Sequence, residues 1–179
     1  RKNVPGIDVF TDYKEMIEQT RPDAVIVCTP PNFHNEVCQF ACEKGVNVFC
    51  EKPFTVNPND AKRLQEMFSA KGLIGQVGYV NRLNDMFATA REYVNGGLIG
   101  NVIRFKSETY SSTITKPESS DSWRSKRENG GGAAYEMAVH ALDLVNYIIG
   151  VPDKVIGTSM NQVYSKNVED IVSSTLVYK

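Results

Sequence analysis

The 179-residue sequence predicts an α/β protein: a parallel sheet built from βαβ units, then an α+β portion with a mostly antiparallel sheet. Three observations predict it. Apolar runs of strand length alternate with amphipathic stretches of helix length as far as Val80. The connections between them are short. Beyond Arg82 the texture changes to alternating strands on either side of one long apolar helix.

Each element has its own signal. After the short apolar remnant Val9-Phe10, Thr11 is placed to cap a helix over residues 12–19. Arg21-Pro22-Asp23 turns the chain into residues 24–28, a β-branched run expected to be buried on both faces of a parallel sheet. Thr29-Pro30-Pro31-Asn32 breaks that run. The next helix is expected over residues 32–44, with Phe33, Val37, Phe40 and Ala41 on one stripe and Gly45 as its stop. Residues 46–50 form a second buried strand that ends at Glu51-Lys52-Pro53. Asn57-Pro58 caps and starts a further helix, whose stripe is Ala61, Leu64 and Met67/Phe68 and whose end is Lys71-Gly72. Residues 73–80 read as a third strand.

The second portion begins with Asn84, which caps a helix to Val94 stopped by Asn95-Gly96-Gly97. Residues 101–111 alternate as a half-exposed strand, Ile103 and Phe105 on one face and Arg104, Lys106 and Glu108 on the other. A polar stretch over residues 112–129 has no periodicity and carries Trp123-Arg124; loops of this length are usually functional or mobile. Gly130-Gly131-Gly132 leads into a helix over residues 133–149, followed by strands at 154–163 and 170–178. The expected division is residues 1–81 and residues 82–179.

Composition narrows the possible roles. Hydrophobic residues are 41% and charged residues 23%, an ordinary globular balance. The net charge is −1 and no Lys/Arg run is dense enough for a nucleic-acid or anionic-membrane surface, so neither partner is expected. Apolar runs such as Tyr147-Ile148-Ile149 are far too short to span a bilayer. No leader is visible, and the chain opens on Arg1. Cys28, Cys38, Cys42 and Cys50 form neither a CxxC pattern nor a disulfide framework. They are expected as reduced packing residues of a cytoplasmic protein, with no metal site.

Three groups of residues could carry chemistry. The helix over 133–149 is apolar nearly all round, with Met137, Ala141, Leu144 and Ile148 on one stripe and Ala138, Leu142, Val145 and Ile149 on another. Yet Glu136, His140 and Asp143 fall at i, i+4 and i+7, along one narrow polar strip. Ionisable groups on a buried helix must be paired or must line a cleft. Either this strip is a satisfied structural network, or it is a cleft wall with His140 as proton donor and acceptor between two carboxylates. Lys52 is unusual at the mouth of an apolar sheet: there it can hold an anion or polarise a carbonyl, unless it is a surface lysine paired with Glu51. Finally, the prolines of Thr29-Pro30-Pro31-Asn32 fix a turn, and the helix after it aims free N–H groups at the crevice outside the carboxyl ends of the strands. His34 is either a surface residue at the start of that helix or a neighbour of a bound cofactor.

In their order, four segments resemble the Gfo/Idh/MocA family, named for glucose–fructose oxidoreductase and inositol dehydrogenase. They are the stretch from Asp23 through Thr29-Pro30-Pro31-Asn32 to His34, the stretch from Val46 to Glu51-Lys52-Pro53, Val77-Gly78-Tyr79-Val80-Asn81-Arg82, and Gly130-Gly131-Gly132 through Glu136, His140 and Asp143 to Gly150. The resemblance implies a partial Rossmann domain holding NAD or NADP, then a partial α/β domain for substrate binding and homo-oligomer formation. It implies hydride transfer between nicotinamide and a carbinol carbon of a sugar, inositol or related polyol. By the same resemblance, Lys52 binds the substrate hydroxyl, His140 moves its proton, and Glu136 completes the catalytic set. Thr29, Pro30, Pro31, Asn32, His34, Glu51, Lys52, Pro53 and Arg124 would border the cofactor, and Arg82, Trp123 and Asp143 would join the substrate site. Two departures stand out. The position of Glu136 is often Asp in the family, and the family's glycine-rich phosphate turn is absent from these 179 residues, so a chain lacking both ends is expected. An NAD-dependent glycosidase on the same fold and a non-catalytic family member are the alternatives.

Overall fold

The computed structural model describes residues 6–112 and 122–179. Strands β1 (Ala24–Val27), β2 (Asn47–Cys50) and β3 (Gly75–Val77) form one parallel sheet in that order. Its register pairs Val27 with Cys50 and Cys50 with Val77, so the three carboxyl ends lie side by side. Helices α1 (Tyr13–Thr20), α2 (His34–Glu43) and α3 (Pro58–Ala70) connect or precede the strands. Their apolar sides close one core with the sheet, made of Ile17, Val25, Val27, Val37, Ala41, Val48, Leu64 and Phe68 among others.

The local chemistry accounts for the helix ends. Asn57 accepts from the Asn59 N–H, Pro58 occupies the first helical position, and α3 ends at Lys71 before Gly72 at φ +63°. Asn84 caps α4 (Asp85–Asn95) in the same way through the Met86 N–H. At α1 the cap is Asp12, not Thr11, because the Asp12 carboxylate reaches the Lys14 N–H. Beyond the parallel sheet, α5 (Val139–Ile148) packs on α4, and β4 (Lys154–Asn161) pairs antiparallel with β5 (Ile171–Val177).

Four expectations need correction. Strand β1 is buried on one face only: Val25 and Val27 point into the core, whereas Ile26 is 74% exposed. The core helices all lie on that one side, so the β-branched run has nothing over its other face among the described residues. The helix expected from Asn32 begins instead with a 3₁₀ turn at Pro31–Phe33, which swings Phe33 into solvent and puts His34 on the buried stripe. The third strand is three residues long rather than eight, since only Gly75, Gln76 and Val77 find partners on β2. Residues 101–111 form no strand: alternation is present, but no neighbouring strand pairs with it among the described residues, and Ile103 and Tyr110 are exposed. Of the polar stretch, residues 113–121 lie outside the described residues.

Candidate active site

The site assembles where the carboxyl end of β2 meets the start of the helix after the glycine run. That helix is not uniform. A π turn spans Ala134–Ala138 before α5 begins, the kind of local widening that recurs at functional sites. Lys52, two residues past β2, donates from Nζ to the Glu136 backbone carbonyl at 2.8 Å, and Nζ lies 3.6 Å from Glu136 Oε2. The other carboxylate oxygen, Oε1, accepts from Arg124 Nε at 3.1 Å. Both the Lys52 and Glu136 side chains are largely shielded, at 14% and 13% exposure. Arg124 rests on the Trp123 ring, its guanidinium 4.6 Å from the ring centre.

One turn further on, His140 is half-buried with an Nδ1 that has no hydrogen-bond partner. Burial pushes its pKa below the ordinary value, and the Lys52 ammonium pushes the same way; Glu136, Asp143 and Glu51 oppose them. Asp143 is buried and gripped by Arg82: Nε donates to both oxygens at 3.1 and 2.9 Å, and Nη2 donates to Oδ1 at 2.7 Å. Arg82 also lies over Tyr79 and Tyr147. The polar strip expected from spacing is therefore real, but its members do different things. Glu136 faces Lys52 and Arg124, Asp143 is locked to Arg82, and His140 stands between them.

The loop after β1 adjoins the same place. Thr29 and Asn32 are exposed, while Pro31 and Pro53 are buried in the packing of their own turns. His34 is fully buried, which corrects the surface reading. Its Nδ1 lies 2.8 Å from the Pro53 carbonyl and its Nε2 lies 2.8 Å from the Thr29 carbonyl, so it ties the loop after β1 to the loop after β2. Both ring nitrogens face backbone carbonyls, and a neutral ring donates to one of the two according to its tautomer.

The glycine run explains how the helix comes so close. A Cβ at Gly131 would strike the backbone carbonyls of Arg124 and Trp123, and one at Gly130 would strike Pro31. Gly132, at φ +108°, lies against the Glu169 carboxylate. Sequence reasoning missed Glu169. It is a buried acid in the connection between β4 and β5, and one chain by itself carries no periodicity or motif there to mark it. Among the described residues no group of three or more His, Cys, Asp or Glu is arranged to hold a metal ion, and the four cysteines are free. No helix of the described residues is long and apolar enough to cross a membrane.

A parallel sheet whose strand ends carry an ordered lysine, facing a helix with a carboxylate and a histidine, makes this an α/β protein with its candidate site outside the carboxyl ends of the strands. The comparisons make this specific. Residues 2–79 match the oxidoreductase family with an NAD-binding Rossmann fold, and residues 87–179 match the GFO/IDH/MocA C-terminal domain. The chain belongs to the Gfo/Idh/MocA family.

It is 34% identical over 86% of its length to 2,7-anhydro-N-acetylneuraminate hydratase of Mediterraneibacter gnavus, covering 41% of that protein. It is 30% identical over 81% of its length to the scyllo-inositol 2-dehydrogenase (NAD(+)) of Bacillus subtilis, again covering 41%. Levoglucosan dehydrogenase in complex with NADH and levoglucosan shares the fold, with a TM-score of 0.84 at 22% identity over 94% of this chain and 48% of that one. The chain spans about half the length of the curated relatives it matches, 48% of the first two.

Proposed function

We propose that the protein carrying this chain is an NAD(P)-dependent oxidoreductase that transfers a hydride between nicotinamide and a carbinol carbon of a sugar, inositol or related polyol. The observation that carries this reading is the Lys52–Glu136–His140 cluster at the carboxyl end of β2. An ammonium that is shielded and held at two points is aimed before any substrate arrives, so it stabilises a developing alkoxide without reorganisation. A histidine kept toward its neutral form can accept the hydroxyl proton.

The nicotinamide and ribose end of a dinucleotide fits the residues present. Thr29 and Asn32 are open at the strand ends, Glu51 is half-buried next to Lys52, and Gly78 leaves room beside the Glu51 carboxylate. On this reading Thr29, Asn32, Glu51 and Arg124 border the nicotinamide and its ribose. Pro30, Pro31, His34 and Pro53 shape the loops that present them, and Trp123 and Arg82 flank the substrate. When bound, the cofactor supplies the hydride acceptor or donor. The chain's own residues hold the hydroxyl on Lys52 and carry its proton on His140. We further take residues 1–81 and 82–179 as the two units, which the limits of the two family matches support. A cytoplasmic location and a homo-oligomer are part of the same reading, and the exposed Val155, Ile156 and Met160 on β4 support the second of these.

A second reading, a net redox-neutral reaction on a sugar such as glycoside cleavage, draws support from the 34% identical relative named as a hydratase. The test mixes the protein with NAD or NADP and a panel of polyols and anhydrosugars. Hydride transfer predicts one reduced cofactor and one released proton per carbonyl formed. Cleavage or hydration with no net reduced cofactor would replace the dehydrogenase reading with the second, and no reaction with either class would end both.

A further inference from the structure

The catalytic helix is fastened at its first turn by a residue far away in sequence. Glu169 lies in the connection leading into β5 and is 3% exposed. Its Oε1 accepts from the Ala134 N–H at 3.1 Å, and its backbone carbonyl accepts from the Ala133 N–H at 2.9 Å. Its Oε2 accepts from Arg127 Nη2 at 3.1 Å. These bonds satisfy backbone donors that the start of a helix otherwise leaves unpaired, and they place a negative charge at the positive end of the helix. Gly132 completes the fit, because any Cβ there would occupy the space of the carboxylate.

The π turn begins at the residue Glu169 holds. Ala134–Ala138 contains Glu136, whose carbonyl and carboxylate both receive Lys52, and Val139–Ile148 follows with His140. A shift of the first turn therefore moves the Glu136 carbonyl directly relative to Lys52 Nζ, and carries His140 with it. Resting on the proposed reaction for its catalytic meaning, we infer that Glu169 is a positioning residue: its carboxylate sets the start of the π turn and so the alignment of Lys52, Glu136 and His140. Arg127 holds the second oxygen and fixes the carboxylate plane. Neither residue touches the reacting groups, and the effect of each is transmitted through the Ala134 N–H.

The experiment compares Glu169→Ala, Glu169→Gln and Arg127→Ala with the parent in the protein carrying this chain, well below each variant's Tm. Three quantities are read: kcat with the best polyol, the KM for the cofactor, and the titration of His140 by ¹H–¹⁵N NMR. Glu169→Ala is expected to lower kcat at least tenfold with the KM for the cofactor unchanged, and to move the His140 titration. Glu169→Gln keeps an acceptor for the Ala134 N–H and is expected to recover most of the loss; Arg127→Ala is expected to fall between the two. A Glu169→Ala protein with a lower Tm but an unaltered kcat and His140 titration would overturn the inference, because Glu169 would then be structural only. If Glu169→Ala does not fold, Arg127→Ala decides, and an unchanged kcat and His140 titration in that variant would overturn the inference equally. If the parent turns over no polyol while the His140 titration still moves, the proposed reaction falls and the positioning role stands.

Discussion

Lys52 and Glu136 are joined twice, once through the Glu136 backbone carbonyl at 2.8 Å and once across 3.6 Å to its carboxylate. The first bond fixes the lysine to the helix backbone itself, so its position does not depend on the Glu136 rotamer. Arg124 takes the remaining carboxylate oxygen, which leaves Glu136 balanced between two cations.

This double attachment predicts the effect of losing the ammonium. Lys52→Ala is expected to lower turnover by about 10²- to 10³-fold, the range found when one oriented donor to a developing oxyanion is removed. Cofactor affinity, followed by quenching of protein fluorescence on titration with NADH, should stay near the parent value. Lys52→Arg should not rescue it, since a planar guanidinium cannot reproduce a point charge on the Glu136 carbonyl. Near-normal turnover of Lys52→Ala would remove Lys52 from the mechanism, and near-normal turnover of Lys52→Arg would overturn the need for a point charge.

His140 gives a prediction with a definite sign. Its pKa lies below the ordinary 6.5, first from burial and then from Lys52. Oxidation should therefore hold its plateau at neutral pH and fall only on the acid side of 6.5. Lys52→Met removes a lowering influence and should raise the His140 pKa; Glu136→Gln removes a raising one and should depress it further. NMR titration of the ring reads both directly, and shifts of the same direction would contradict the geometry. For stability, the unfolded chain takes up the proton first as pH falls through 6.5. The fold then loses stability until the folded-state group also titrates, below which the loss is constant.

The Arg82–Asp143 pair should be costly to break from one side. Asp143 is 7% exposed, so Arg82→Ala strands a buried carboxylate and is expected to cost about 1–3 kcal/mol. Arg82→Ala combined with Asp143→Asn should cost less than the sum of the single changes. Denaturant melts of the four proteins give the coupling; strict additivity would mean that the contact contributes nothing.

The glycines offer a contrast within one chain. Gly131→Ala forces a methyl into the Trp123 and Arg124 carbonyls and should cost about 1–3 kcal/mol while disturbing the Arg124–Glu136 contact. Gly157 in β4 has nothing within 4 Å of the added carbon, so Gly157→Ala should leave Tm unchanged or slightly raised. Equal melting shifts would refute the close approach at Gly131.

Much of this was readable from residue order. The βαβ alternation, the Asn57 and Asn84 caps and the polar strip on the last helix follow from local periodicity and turn chemistry, and all appear in the structure. What periodicity could not supply was the partner. Residues 101–111 alternate correctly yet pair with nothing among the described residues, and the run containing Ile26 looks doubly buried although only one face is covered. Local order leaves His34 as either a surface residue or a cofactor neighbour, because the 3₁₀ turn that rotates it inward is a tertiary outcome. Glu169 was invisible for a related reason: its hydrogen-bond partner Ala134 is 35 residues away, and nothing local marks it.

The imidazole of His34 has one further consequence. With one nitrogen 2.8 Å from the Thr29 carbonyl and the other 2.8 Å from the Pro53 carbonyl, the ring is wedged between two strand ends. The loop expected beside a nicotinamide and the loop carrying the lysine are then one mechanical part. A displacement of either loop is therefore felt by the other through this one buried ring.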